Sequence, residues 1–448
     1  MKTHKKKLKL GLFIVLTLLI ILGVVVYPLL RGACGYSAKM VCSSVFIEGL
    51  SQERVEQMEL TAFPFNWITN KVDIDRKMVT STILGFASQT AVYQNKLGAT
   101  LYPNDFHQIP SREPYPKVDA DSLLWPMGSI LIDSLPSGVD IEGLKAYIKE
   151  HFNETSRALV VVWKGQLLAE HYMQGINKYT PLLGWSMTKS LTGTLTGILV
   201  KNGYLDIHQP VDIPQWRDDQ RSEITLNNLL QMSSGLHWKE DYSTTSVSDV
   251  TEMLYLRSDM PDYACTPELD EAPDSSWLYS SGTTNIISGL MRAAIDDYQS
   301  YYQLPQKALF NKLGMNHSLI ETDASGNFVG SSYGYCSARD WARLGMLYLN
   351  NGNWYGEQIL PKWWVSYCTT PARQSNGEYG AQLWLNYSQK HLPDMPSDVY
   401  FFKGYRGQRV VIVPSHQMVV VCLNSSVEAK DFNTYLSTML NFFKPISD

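Results

Sequence analysis

The chain has 448 residues, more than one ordinary domain, and with 44% hydrophobic and 12% aromatic residues it can bury a sizeable core. A net charge of −5 and the absence of a basic stretch interleaved with aromatics argue against a nucleic-acid partner. The six cysteines include no Cys-x-x-Cys pair, and no His-Glu-x-x-His spacing or phosphate-cradling glycine loop occurs, so no metal and no cofactor is expected. Cys34 and Cys42 are close enough in sequence to suggest a disulfide, whereas Cys422 lies in an apolar run and reads as core.

Taken in chain order, Lys2, Lys5, Lys6, Lys7 and Lys9 precede an apolar run from Leu10 to Leu30, long enough to span a bilayer as a helix. With Arg31 alone behind it, the run predicts a single-pass anchor over residues 1–31, a cytoplasmic N-terminus, and a catalytic domain in the periplasm or another extracytoplasmic space. A cleaved signal peptide and a lipid on Cys34 are the alternatives; Arg31 stands where a lipoprotein signal usually carries an aliphatic residue. Residues 32–136 are expected to hold a small strand-containing module followed by a linker. Val79 to Ala87 and Thr90 to Tyr93 carry strand-forming residues, with Ser88-Gln89 as the turn. Pro103, Pro110, Pro114, Pro116 and Pro126 then deny the linker a long helix.

The large domain is expected over 137–448. Ser137 reads as the N-cap of a helix with Val139, Leu144, Ile148 and Phe152 on one face. Ala158 to Trp163 and Gln166 to Tyr172 form a hairpin around Lys164-Gly165, and Met187 to Asn202 form a buried helix stopped by Gly203. Residues 205–350 read as helix and loop. Strands return at Tyr379 to Asn386, Val399 to Phe402, Gln408 to Val413 and Gln417 to Leu423, before a last helix from about Val427 to Phe443. Strands at both ends with helices between them predict an α/β (α+β) fold: one antiparallel sheet built from the domain's two termini, with a helical region inserted.

The first turn of the predicted Met187 helix holds Ser186 and Lys189, the one Ser-x-x-Lys in the chain. Residues three apart share a helix face, so the lysine amine can reach the serine hydroxyl. Serine is a poor nucleophile until a base takes its proton, and lysine can be that base if burial lowers its pKa.

Ser186-Met187-Thr188-Lys189 after a strand hairpin, followed by Tyr279-Ser280-Ser281-Gly282, resembles the serine β-lactamase and penicillin-binding-protein superfamily. The likeness is to its class C-like branch of esterases, D-aminopeptidases and 6-aminohexanoate-dimer hydrolases. Gly203-Tyr204-Leu205-Asp206-Ile207, Leu229-Leu230-Gln231-Met232-Ser233-Ser234-Gly235-Leu236 and Ser337-Ala338-Arg339-Asp340 are similar to its connecting phrases and stand in the right order. The resemblance covers roughly residues 140 to 440. It implies a β-lactamase/transpeptidase-like fold in which Ser186 forms an acyl-enzyme while Lys189 and Tyr279 share the proton transfers. A neighbouring ammonium should then lower the Tyr279 pKa. Ser281 stands where the family often carries an asparagine, and Lys403-Gly404-Tyr405-Arg406-Gly407-Gln408 stands where true β-lactamases carry Lys-Thr-Gly. Glycines at 404 and 407 suit close backbone approach to a ligand. Ser281, Gly404, Tyr405, Gly407 and Gln408 are the implied substrate-binding set, with backbone N–H groups near Tyr405 and at Ser186 as the oxyanion hole. Lys403 and Arg406 are candidates for a substrate carboxylate and equally for solvated loop charges.

Gly330-Ser331-Ser332-Tyr333-Gly334 also fits the nucleophile elbow of α/β-hydrolases, but that elbow needs a helix directly after the serine, and here the next helix cap is Ser337. A glycine-rich loop is the better reading. The favoured function is a membrane-anchored serine hydrolase whose partner is a small-molecule ester or amide. The alternatives are a D,D-peptidase or β-lactamase, and a non-catalytic hydrolase-like binding protein.

Overall fold

The fold rests on two sheets, seen in a computed structural model that describes residues 6–7, 9–11, 13, 17, 22–94, 97–103, 122–132, 136–243, 246–295, 297–426 and 431–444. Helix α1 (Tyr27–Ser43) lies on a four-stranded antiparallel meander, β1 (Ile68–Asp73), β2 (Met78–Ile83), β3 (Ala87–Gln94) and β4 (Gly98–Tyr102). The turn between β2 and β3 falls at residues 84–86, not at Ser88-Gln89. Leu84 and Gly85 carry φ of +51° and +67°, the left-handed backbone that a tight hairpin turn demands.

The membrane anchor expected from residues 1–31 is overturned, and with it the single-pass location. No helix among the described residues is long and apolar enough to cross a membrane. Much of the Leu10 to Leu30 run lies outside the described residues. Its described end enters α1, which does not stop at Arg31 but runs on to Ser43 with Ala33, Cys34 and Ala38 to Ser43 buried against protein. Leu30 packs on a small cluster of Cys34, Ile83 and Ala87. Burial against protein begins at Ala33, whereas Val24 and Val25 within the run are 70% and 53% exposed. All six cysteines are buried thiols. Cys34 and Cys42 sit in one helix, where eight residues separate them by about 12 Å, too far for a disulfide.

Three buried or half-buried ion pairs clasp this module to the rest of the chain: Lys39 with Glu321, Glu48 with Arg157 at 2.5 Å, and Glu59 with Arg406. A second clasp comes from α5 (Ala338–Leu349, labelled after α1, α2 (Ile141–His151), α3 (Met187–Lys201) and α4 (Ser281–Ala293)). Arg343 donates to the carbonyls of Pro126 and Gly128 at 2.6 and 2.7 Å, and Arg339 to Ser129 O at 2.9 Å. The end of the proline-rich stretch is thus held on the large domain, its carbonyls satisfied by buried guanidinium groups.

The large domain is a six-stranded antiparallel sheet joining its two ends. The strands are β5 (Ser156–Trp163), β6 (Gln166–Tyr172), β7 (Trp384–Leu385), β8 (Tyr400–Gly404), β9 (Gln408–Val413) and β10 (Met418–Asn424), in the order β7-β8-β9-β10-β5-β6. Register pairs Val161 with Val420 and Val420 with Val411 across the centre. The sheet is covered on both faces, so its central strands read as near-continuous apolar runs. Val160, Val162, Val410, Ile412, Val419 and Val421 face the inserted helical layer, while Val161, Val411, Val413 and Val420 face the terminal helices α2 and α6 (Phe432–Leu440). Helix α2 starts later than expected: Asp140, not Ser137, is its cap, accepting from Gly143 N at 2.9 Å. The strand expected from Tyr379 shrinks to two residues because Gln382, at φ +57°, breaks the extended run. Residues 427–430 of the expected last helix lie outside the described residues, and Asp431 caps α6.

Helix α3 is the central element, buried from Met187 to Leu199 on all sides. Its hydroxyls make this tolerable: Thr192 donates to Gly330 O, Thr194 and Thr196 to carbonyls one turn back, and Ser190 to Gln382 O, all at 2.8 to 2.9 Å. Gly197 lets Trp364 approach, since a Cβ there would meet its ring at 2.6 Å.

Candidate active site

Two-residue strand Leu182–Leu183 leads into the turn Gly184-Trp185-Ser186 that heads α3. Trp185 carries φ +48° while buried between Tyr36 and Tyr333, a left-handed conformation that costs a bulky residue energy and is held by its packing. Ser186 is the N-cap of α3, and Lys189 lies one turn on, as the spacing requires. The Lys189 ammonium is buried and donates to Ser186 Oγ at 3.2 Å, to Ser281 Oγ at 2.9 Å and to Ser331 O at 3.1 Å. Burial lowers its pKa to about 8, opposed by the Glu240 carboxylate, which favours the charged form.

Tyr279 is supplied by the extended segment just before α4 and is in hydrogen-bonding reach of Ser186. Its environment reverses the expected direction of shift. Burial first, and then the charge of Glu240, hold the phenol above its ordinary range, although contacts with Ser186 and Trp384 act the other way. The Lys189 ammonium lies over the ring face, 4.8 Å from its centroid. Tyr279 is therefore a neutral phenol near pH 7, and Lys189 is the group poised to give up a proton.

Glu240 is the residue that sequence reasoning missed. Its carboxylate accepts from Ser281 N and Oγ at 2.9 and 2.6 Å, from Trp238 Nε1 at 2.6 Å and from Tyr242 Oη at 2.7 Å. Ser281 thus accepts from Lys189 and donates to Glu240, fixing the amine beside Ser186. Nothing in the spacing of Trp238-Lys239-Glu240 points to Lys189; the only signal is an acid shortly after the turn phrase that ends Ser234-Gly235-Leu236.

The other substrate-binding candidates divide. Gly404 ends β8 against the Gly184-Trp185-Ser186 turn, where a Cβ would meet Gly184 O at 2.2 Å, so only glycine fits. Tyr405 follows it and sets its ring edge-on to Trp185 at 5.6 Å. Gln408 and Gly407 turn away: Gln408 Nε2 donates to Asn424 O at 2.7 Å and Asn424 Nδ2 to Gly407 O at 2.8 Å. Arg406 is bound to Glu59 and to Tyr36 Oη at 3.2 Å, so it clasps the N-terminal module. Lys403 lies 4.3 Å from the centre of the Trp384 ring beside Tyr279, with its pKa lowered to about 8 by burial and by Arg409. Ser331 and Ser332 lie in a buried turn that runs into a short strand, Gly334–Cys336, which is not the strand–serine–helix order of an elbow. Among the described residues no group of His, Cys, Asp and Glu side chains could hold a metal ion.

Comparison with known proteins identifies the family and the fold. Residues 145–436 match the family model described as Beta-lactamase. A 6-aminohexanoate-dimer hydrolase of Paenarthrobacter ureafaciens is 24% identical over 303 residues, 62% of this chain and 75% of the relative. Among solved structures, a Bacillus anthracis protein with a provisional 6-aminohexanoate-dimer hydrolase assignment superposes with a TM-score of 0.56 at 22% identity, covering 74% of this chain and 87% of its own. A penicillin-binding-protein homologue from Caulobacter crescentus gives a TM-score of 0.53 at 12% identity, covering 69% and 98%. At these identities the structural likenesses speak for the fold alone.

Proposed function

The chain belongs to the Beta-lactamase family of serine hydrolases, and on that premise we propose that it cleaves a small ester or amide through an acyl-enzyme on Ser186. The observation that carries this reading is the buried Lys189 amine, 3.2 Å from Ser186 Oγ and with its pKa brought down to about 8. In its neutral form that amine takes the Ser186 proton as Oγ bonds to the carbonyl carbon. Charge on the carbonyl oxygen is met by the N–H groups of Ser186 and Tyr405. As the carbonyl–leaving-group bond breaks, Tyr279 gives its phenolic proton to the departing atom, and the Lys189 ammonium restores it. Water then attacks the acyl carbon, passing its proton to Lys189, and Ser186 Oγ leaves with a proton returned through Tyr279. The relative from Paenarthrobacter ureafaciens, a 6-aminohexanoate-dimer hydrolase, supports an amide among the candidate substrates.

A panel of p-nitrophenyl esters, D-amino-acid amides and nitrocefin tests the reading. Turnover of an ester or amide is expected. Turnover confined to nitrocefin or to D-amino-acid peptides would move the assignment to β-lactamase or D,D-peptidase. Absence of all turnover, with no fluorophosphonate labelling across neutral pH, would favour a binding protein.

The same proton path sets a pH dependence. Because Lys189 must be neutral to accept the proton, kcat/KM should rise with pH through about 8. Glu240 raises the Lys189 pKa, so Glu240→Gln should move that rising limb to lower pH. The substitution also leaves Ser281 N–H and Trp238 Nε1 short of acceptors, at a cost of about 1–3 kcal/mol in stability. A limb that moves upward in Glu240→Gln, read by pH–rate profiles on the best ester, would contradict the assignment of Lys189 as the base.

A further inference from the structure

Beside the nucleophile turn lies a cavity of about 280 Å³ whose walls come from two different parts of the chain. Val26, Leu29, Leu30, Gly32 and Ala33 of the N-terminal segment and α1, with Phe63 and Phe65, form one side. Trp185, Tyr242 and Tyr405 form the other. Each of these three adjoins a group of the proposed machinery. Trp185 precedes Ser186, the Tyr242 hydroxyl donates to Glu240 at 2.7 Å, and Tyr405 carries the proposed oxyanion N–H. Their rings interlock, Tyr405 stacking on Tyr242 at 5.7 Å and meeting Trp185 edge-on. The one guanidinium in the wall, Arg406, is already paired with Glu59. Among the described residues no uncompensated charge therefore faces the space, and an uncharged apolar group suits it.

Resting on the proposed Ser186 chemistry, we propose that this cavity holds the acyl chain of the substrate, making the preferred substrates esters or amides of medium-length aliphatic acids. The side of the carbonyl follows from the proton donor. Tyr279, set among Tyr379, Trp384 and Lys403, must lie by the leaving atom; neither it nor Ser186 lines the cavity, whereas Trp185, next to Ser186, and Tyr405 do. The leaving group belongs on that side and the acyl chain on the other, against Trp185 and Tyr405. The space, about 280 Å³, is large enough for a chain of several carbons. The wall from Val26 to Phe65 precedes the residues matched by the family model, so this chain preference belongs to the N-terminal module and not to the family fold.

The test holds the leaving group constant and varies the acid, using p-nitrophenyl esters from acetate through decanoate on the full chain. kcat/KM should climb roughly threefold to fourfold per added methylene, the transfer gain of burying one such group, up to the octanoate or decanoate. Gly32→Phe fills the cavity from a helical position where an added Cβ meets nothing within 4 Å. It should lower the decanoate-to-acetate ratio of kcat/KM at least tenfold. Calorimetric titration with sodium decanoate below its micelle concentration gives a readout independent of turnover, with binding in the wild type and not in Gly32→Phe. A flat or falling series in an enzyme that hydrolyses the acetate, or a ratio unmoved by Gly32→Phe, overturns the acyl-chain assignment and leaves the Ser186 reading standing. Decanoate binding that Gly32→Phe removes, in a protein that turns over none of the esters, overturns the Ser186 reading while the chain-binding cavity stands. No turnover and no binding overturn both.

Discussion

Ser186→Ala should abolish covalent labelling by a fluorophosphonate probe and reduce kcat on the best ester by about 10⁴–10⁶-fold, the range seen when a nucleophile acting as one unit with its base is removed. Lys189→Met should cost a similar factor. The amine, 3.2 Å from Ser186 Oγ, is the proposed acceptor of the serine proton, and methionine keeps most of its buried volume while removing the nitrogen. Because the two act as a unit, the double variant should be little slower than either single one. Tyr279→Phe should cost less, about 10²–10⁴-fold, as expected for loss of one proton donor. Two outcomes would be decisive against this assignment. One is labelling that survives in Ser186→Ala, which would put the nucleophile elsewhere. The other is multiplicative losses in the Ser186/Lys189 double variant, which would separate the lysine from the serine's activation. Melting temperatures of the variants distinguish chemistry from damage to α3, since Lys189 also donates to Ser281 and Ser331.

The parts of this site visible in the sequence are those whose spacing is local. Ser186 and Lys189 share a helix turn, so their contact follows from helix geometry once the helix is recognised. The edges of β9 and the start of α3 were legible for the same reason: Gln408–Val413 is a short apolar run opened by a glycine, and Met187 begins an apolar period. What failed depended on contacts between distant segments. Glu240 meets Ser281 only because a loop folds over α4, and no local pattern marks it. The sign of the Tyr279 shift depends on that same carboxylate and on burial, so a lysine neighbour alone pointed the wrong way. The resemblance assigns Gln408 to the substrate by its place in the stretch that stands for Lys-Thr-Gly, yet its amide is bonded to Asn424. The apolar N-terminal run carried a hydropathy signal that says nothing of where the helix continuing from it packs. Lys39 lies in the same helix as Arg31, where the anchor was expected to end, and it is buried. Its protein surroundings show only through its partner Glu321, which is 282 positions away.

That partner sets the second large expected effect. Lys39 in α1 is fully enclosed, donating to Ala99 O at 2.7 Å, to Ser43 Oγ at 3.2 Å and to Glu321, and it lies 4.3 Å from the centre of the Tyr333 ring. Glu321 also accepts from Ala99 N at 2.6 Å and from Ser43 Oγ at 2.9 Å, and Gly98 has no room for a Cβ beside it. Burial disfavours charge on both partners, lowering the lysine and raising the carboxyl, so each depends on the other to stay ionised. Lys39→Met should therefore destabilise the protein by about 3–5 kcal/mol in urea unfolding, because it strands a buried carboxylate. Adding Glu321→Gln removes the stranded charge and keeps an acceptor for Ala99 N–H and Ser43. The double variant should recover at least half of the loss. A single-variant cost below about 1 kcal/mol, or a double variant worse than Lys39→Met alone, would mean that the pair does not hold α1 to the large domain. The core is continuous across this junction, with Ala38 and Val41 of α1 in one cluster with Leu191 and Trp341. Unfolding should accordingly remain a single transition in the wild type, and a separate early transition in Lys39→Met would mark the N-terminal module, with its wall of the acyl-chain cavity, coming away first.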